Sequence, residues 1–98
     1  MQITKEKNGS ELTVTLEGSL DTLTSRDLEA ALRNSMDDID KLIIDMKKLD
    51  YVSSAGLRVL FKAYKVMTQK GSMTLRNLSQ EVMDVIEVTG FDSVFDIE

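Results

Sequence analysis

Hydrophobic and polar residues alternate over residues 11–17, with Leu12, Val14 and Leu16 on one face and Thr13, Thr15 and Glu17 on the other. A two-residue period predicts a half-buried strand. Residues 2–7 alternate more weakly around Ile3, and Asn8-Gly9 lies between the two runs, a pair that tolerates the backbone of a tight turn. The pattern predicts a β-hairpin whose first strand is a sheet edge, with Lys5 and Lys7 discouraging further pairing. Residues 18–23 read as a loop. The period then changes: Leu28, Ala31, Leu32 and Met36 predict a helix over 25–36, with Thr24 as its N-cap and Asp27 in the place of a capping-box acid. The acidic stretch Asp37-Asp38-Ile39-Asp40 reads as a solvated loop.

Residues 41–46 contain the continuous apolar run Leu42-Ile43-Ile44, the pattern of a central parallel strand. A loop over 47–53 leads to a second helix at 55–69, whose Leu57, Leu60, Phe61, Tyr64 and Met67 face the core, with Gly71 as its stop. Residues 73–76 form another short strand. Ser79 is placed to cap a third helix over 80–89, with Glu81 in its first turn, and 94–97 adds a closing strand. The order predicts one α/β domain over residues 1–98, in which a hairpin leads into a mixed, mostly parallel sheet with right-handed crossovers.

In open α/β sheets, functional residues gather at the carboxyl ends of the parallel strands. Here those ends carry Asp21, Asp45, the Ser53-Ser54 turn and Asn77. The chain has no His and no Cys, which removes Ser-His-Asp and Cys-His nucleophiles and the usual zinc sites. Ser53-Ser54-Ala55-Gly56 lacks the flanking glycines of a nucleophile elbow, and no Gly-rich phosphate loop is present. The sequence therefore predicts a non-enzyme without a cofactor or metal. A net charge of −5 argues against nucleic acid or an anionic membrane as partner. No apolar run approaches the ~18 residues of a membrane span, and the N-terminus does not read as a signal peptide, so a cytoplasmic location is expected.

Charge placement adds a positive feature. Residues 54–70 carry Arg58, Lys62, Lys65 and Lys70 and no acid, whereas both flanking segments are acidic. Ser54, Arg58, Lys62 and Lys65 fall along one helix face. An ordinary solvated face would show the same pattern; the more specific reading is a contact surface with Ser54 at one end. A serine at a helix start can cap the helix, and the same position favours a phosphate because of the helix dipole. Phosphorylation there would add a charge of about −1.5 to −2.

Four short stretches, in order, resemble a known family. They are Gly18-Ser19-Leu20-Asp21; Leu42-Ile43-Ile44-Asp45-Met46 with Leu49; Ser53-Ser54-Ala55-Gly56-Leu57; and Thr89-Gly90-Phe91 with Phe95 and Ile97. Together they are similar to the STAS domain, specifically the stand-alone anti-anti-sigma factors (anti-sigma factor antagonists). In that family the turn commonly reads Asp-Ser-x-Gly-Leu, and its serine is phosphorylated by an anti-sigma factor with serine kinase activity. The resemblance puts Ser54 on the phosphorylated serine, with Ser53 as the competing site where many members have Asp. The sequence also ends after the last predicted strand, where many members carry a further helix. The family implies a cycle in which the unphosphorylated domain binds the kinase and releases a sigma factor, phosphorylation ends binding, and a metal-dependent serine phosphatase resets it. ATP and magnesium then belong to the partners. Asp21, Ser53, Gly56, Arg58 and Lys62 become candidate partner-binding residues. A non-phosphorylated scaffold subunit of a transport or signalling complex is the alternative.

Overall fold

The structure, a computed structural model, describes residues 1–98. Strands β1 (Gln2–Asn8) and β2 (Glu11–Leu20) form the hairpin, followed by α1 (Thr24–Arg33), β3 (Lys41–Val52), α2 (Ser54–Thr68), β4 (Ser72–Arg76), α3 (Gln80–Thr89), a 3₁₀ turn (Phe91–Ser93) and β5 (Asp96–Ile97). The sheet order is β1-β2-β3-β4-β5, with β1 antiparallel to β2 and every other pair parallel. This is the mixed, mostly parallel sheet that the alternation predicts.

Register explains the core. Val14, Ile44 and Leu75 are cross-strand neighbours, as are Leu12, Leu42 and Met73, and all six are buried. The next row, Thr13, Ile43 and Thr74, faces the other way; its threonines are half-buried and only Ile43 is fully covered. One sheet face therefore packs against the helices while the other stays largely polar. Lys5 and Lys7 of the edge strand pair with Val14 and Leu12, so they stand on the helix side. There Lys5 Nζ donates to the Ala31 carbonyl and to Ser35 Oγ, and Lys7 pairs with Asp38. The two cations tie the sheet edge to the end of α1.

Several predicted boundaries shift, each for a local reason. Residues 47–52 are strand rather than loop, because β3 contains two bulges where its register with β2 slips. Each bulge leaves two consecutive residues exposed, Lys47-Lys48 and Asp50-Tyr51, with Leu49 and Val52 buried, which hides the alternation. The Asp45 carboxylate accepts the Lys47 N–H at 3.0 Å and steadies the first bulge. Strand β2 likewise runs on to Leu20. Helix α1 ends at Arg33 rather than 36, because Ser35 Oγ donates to the Ala31 carbonyl at 2.8 Å and closes the last turn. Helix α2 spans 54–68, and α3 spans the predicted 80–89 with Ser79 as its cap. Gly71 lies beyond the α2 C-cap, Gln69. Its requirement is proximity: a Cβ there would sit 1.6 Å from the Asp40 carbonyl oxygen. The closing strand is shorter than predicted because the N–H groups of Val94 and Phe95 turn back to the Phe91 carbonyl, at 3.0 and 2.9 Å, after the 3₁₀ turn at 91–93.

Helix α2 is the central helix. Its inner face buries Gly56, Leu57, Leu60, Ala63 and Met67. One flank places Phe61 against Phe91 with ring centroids 5.7 Å apart, and Tyr64 against Phe95 at 5.8 Å. The other flank meets α1. What remains is an outer face running from Ser54 to Lys65.

Candidate functional site: the strand-to-helix turn at Ser53 and Ser54

The turn is built where the ends of β2 and β3 meet. The Ser53 N–H donates to the Leu20 carbonyl at 2.8 Å, which fixes the start of α2 beside the last residue of β2. Gly56 allows the first helical turn to close on that strand. A Cβ at this position would lie 2.7 Å from Leu20 Cγ, too close for Leu20 to stay where it is, and a tight 3.1 Å from the Leu20 carbonyl oxygen. The requirement for glycine is thus the close approach of helix to strand. Asp21 follows Leu20 directly, so the same contact brings its loop next to the serines.

The two serines divide two roles that the sequence leaves on one residue. Ser53 has extended backbone (φ −92°, ψ 171°) and is the N-cap of α2; its Oγ accepts the Gly56 N–H at 3.1 Å. Ser54 is the first helical residue. It is exposed, and its hydroxyl forms no hydrogen bond within the protein. The expectation that Ser54 caps the helix is therefore corrected: an N-cap needs extended backbone and an inward oxygen, and Ser53 supplies both. Capping occupies Ser53 and leaves the Ser54 hydroxyl free at the positive end of the helix dipole.

Asp21 is the organiser of the neighbouring loop. Its Oδ1 accepts the N–H groups of Leu23 at 3.0 Å and Thr24 at 2.9 Å. Hydrogen bonds from Thr24, first its backbone N–H and then its hydroxyl, hold the Asp21 carboxyl below its ordinary value of 3.8. The predicted N-cap role of Thr24 passes to this carboxylate. Thr24 is instead the first residue of α1; its hydroxyl accepts the Asp21 N–H at 2.8 Å and shares its single proton between the Ser19 carbonyl at 2.7 Å and Asp21 Oδ1 at 3.1 Å. Asp21 is half-buried and its carboxylate is taken up by its own loop. Leu23, 72% exposed, and Tyr51, 50% exposed, are apolar residues at this same end of the sheet.

The basic face is present but unequal. Ser54, Arg58, Lys62 and Lys65 are all exposed. Lys62 Nζ reaches Glu29 of α1 at 3.2 Å, and Lys65 Nζ stands 4.9 Å from the Phe61 ring centroid. Arg58 has no carboxylate within 4 Å, so of the three it is the cation free to meet an incoming group, one helical turn from Ser54. Asp45, expected at a strand end, lies instead within β3 at its first bulge, because that strand runs on to Val52. Asn77, just past the end of β4, donates to it at 3.3 Å, and the pair belongs to the β3–β4 side rather than to the serine turn. Sequence reading missed Arg26, which lies across the α1–α2 seam from Arg58 in a depression the two share with Thr22 and Ala55. The available signal was the spacing of Arg26, Glu29 and Arg33, three and four residues apart on one helix face.

A mixed five-stranded sheet backed by three helices, one of them starting at an uncommitted serine, defines a small single-domain α/β fold. The chain belongs to the STAS domain family, whose model matches residues 2–98. It is 34% identical to a Bordetella bronchiseptica protein named as an anti-sigma factor antagonist, BtrV, over 99% of this chain and 85% of that one. It is 29% identical to the anti-sigma-B factor antagonist of Bacillus subtilis, over 94% and 85% of the two chains. Among solved structures it resembles the anti-sigma factor antagonist SpoIIAA. For the unphosphorylated form the TM-score is 0.85 at 17% identity, covering 99% of this chain and 88% of that one. For the phosphorylated form of the Bacillus protein it is 0.76 at 16% identity, covering 99% and 91%. At such identities the likeness is one of fold. No helix is long and apolar enough to cross a membrane.

Proposed function

We propose that this protein is an anti-sigma factor antagonist governed by phosphorylation of Ser54. In its unmodified form it binds an anti-sigma factor that is also a serine kinase, and a sigma factor is released. Phosphorylation of Ser54 ends that binding, and a metal-dependent serine phosphatase restores it. On this reading the protein is a binding partner and a substrate, and not itself an enzyme. The names of its relatives support the antagonist role, and one fold neighbour has been solved in a phosphorylated form.

The observation that carries the reading is the division of labour between the serines. A kinase needs an exposed hydroxyl that the fold does not use. Ser54 has one, whereas the Ser53 oxygen is engaged by the Gly56 N–H. A phosphate on Ser54 would meet unpaired N–H groups of the first turn and lie one turn from Arg58, both favourable to a dianion. The outer surface would nevertheless change sign at its end, and a partner fitted to a neutral hydroxyl would meet an unmatched charge.

The test is incubation with the anti-sigma kinase of the source cell and ATP, followed by intact-mass analysis of wild type, Ser53→Ala and Ser54→Ala. One phosphate is expected on wild type and on Ser53→Ala, and none on Ser54→Ala. Labelling of Ser54→Ala would move the site elsewhere. An unlabelled wild type that still binds its partner would favour a constitutive scaffold.

A further inference from the structure

The seam between α1 and α2 is not closed. Two depressions, of about 320 and 220 Å³, share Glu29, Val59 and Lys62 and so form one groove along the two helices. From Ala55 to Val66 it follows α2 for about 16 Å, taking 1.5 Å per helical residue. Its larger end has an apolar lining of Leu32, Met36, Val59, Ala63 and Val66, and Val66 is 46% exposed although it belongs with that lining.

The banks are mainly basic. Arg26, Arg33, Arg58 and Lys62 line them, against the single acid Glu29. Glu29 is already shared by Lys62 across the seam at 3.2 Å and by Arg33 of its own helix at 3.8 Å. Arg26 and Arg58, at the end nearest Ser54, have no carboxylate within 4 Å. A basic groove on a domain of net charge −5 is selective by charge: it attracts carboxylates while the rest of the surface repels them.

We propose that this groove is the seat of an acidic, amphipathic segment of the partner protein. Its apolar side chains enter between Val59 and Val66, and its carboxylates meet the guanidinium groups of Arg26 and Arg58. Three turns of helix fit the length, with apolar anchors at i, i+3 or i+4, and i+7. This extends the partner-binding reading by naming the segment that docks, and it does not depend on modification of Ser54. It also supplies a reason for the switch: a phosphate on Ser54 enters at the mouth of the groove and competes with the partner's carboxylate for Arg58.

The probe is a display library of random 12-residue peptides, selected against the intact protein. Enriched peptides are expected to combine Asp or Glu with apolar residues at helical spacing. Their amide shift perturbations should cluster on α1 and α2 around Arg26, Val59 and Val66. Arg26→Glu with Arg58→Glu should weaken binding at least tenfold, and so should Val66→Asp, whose exposed site spares the fold. Raised salt should weaken binding through the arginines. Enrichment of basic or uncharged peptides, no enrichment, perturbations on another face, or unchanged affinity in folded Arg58→Glu and Val66→Asp would each overturn the assignment. No kinase or ATP is involved, so failure to label Ser54 would remove the switch and leave the groove standing.

Discussion

Helices α2 and α3 begin in the same way and end up suited to opposite tasks. Each is entered from a strand through a serine N-cap with extended backbone, and each cap oxygen accepts the N–H three residues on, from Gly56 at 3.1 Å and from Val82 at 3.3 Å. The carbonyls of Ser53 and Ser79 both accept their first intrahelical bond at 2.9 Å. The difference lies in the residues after each cap. Ser53 is succeeded by a second, free serine and, four residues beyond that, by Arg58. Ser79 is succeeded by Gln80 and Glu81, and Asp84 stands where the arginine would be, accepting from the Gln80 side chain at 2.7 Å. A capped helix start alone does not make a phosphate site; the charge one turn on decides whether a dianion is welcome. The third position differs too, Gly56 in one helix and the buried Val82 in the other. Only α2 must press against the end of β2.

The largest expected effect places a negative charge at each start in turn. Ser54→Asp should weaken binding to the anti-sigma kinase about a hundredfold, equivalent to about 2.7 kcal/mol, while Gln80→Asp leaves it unchanged. The measurement is calorimetric or optical titration of the two purified proteins. Equal losses in both variants would mean that overall charge, and not the Ser54 position, controls the complex. Next in size is Gly56→Ala. The added methyl must displace the fully buried Leu20, a form of overpacking that costs about 1–3 kcal/mol. Val82→Ala at the matching position of α3 instead removes buried volume, so both variants lose stability in chemical denaturation, for opposite reasons. Only Gly56→Ala should also disturb the amide resonances of Leu20 and Asp21.

How much of this was legible in the sequence differs along the same lines. Strand β2 and the interior of α2 announce themselves because one face is buried throughout, so the period survives in the residue pattern. The second half of β3 does not, since its bulges expose residues in pairs at Lys47-Lys48 and Asp50-Tyr51. At the site, the basic face from Ser54 to Lys65 emerges from spacing alone. Its partners do not: Glu29 lies 33 residues from Lys62, and only the packing of α1 on α2 brings them together. That pairing singles out Arg58 as the uncommitted cation and reveals Arg26 opposite. The choice between the serines was equally hidden, because two adjacent residues of one type can each cap a helix and only the backbone angles separate them.

The smallest expected effect tests that separation directly. Ser53→Ala and Ser79→Ala each remove a cap oxygen and should each cost ~0.5–2 kcal/mol in chemical denaturation. Ser54→Ala removes a hydroxyl that the fold does not engage, so its stability should stay within about 0.5 kcal/mol of wild type. A loss at Ser54 as large as that at Ser53 would show that Ser54 caps the helix and that its hydroxyl is not free for a kinase. With the expected ordering, Ser54→Ala is a variant whose fold is intact and whose only deficit is the acceptor oxygen. Any change it makes in partner binding can then be assigned to the contact surface rather than to unfolding.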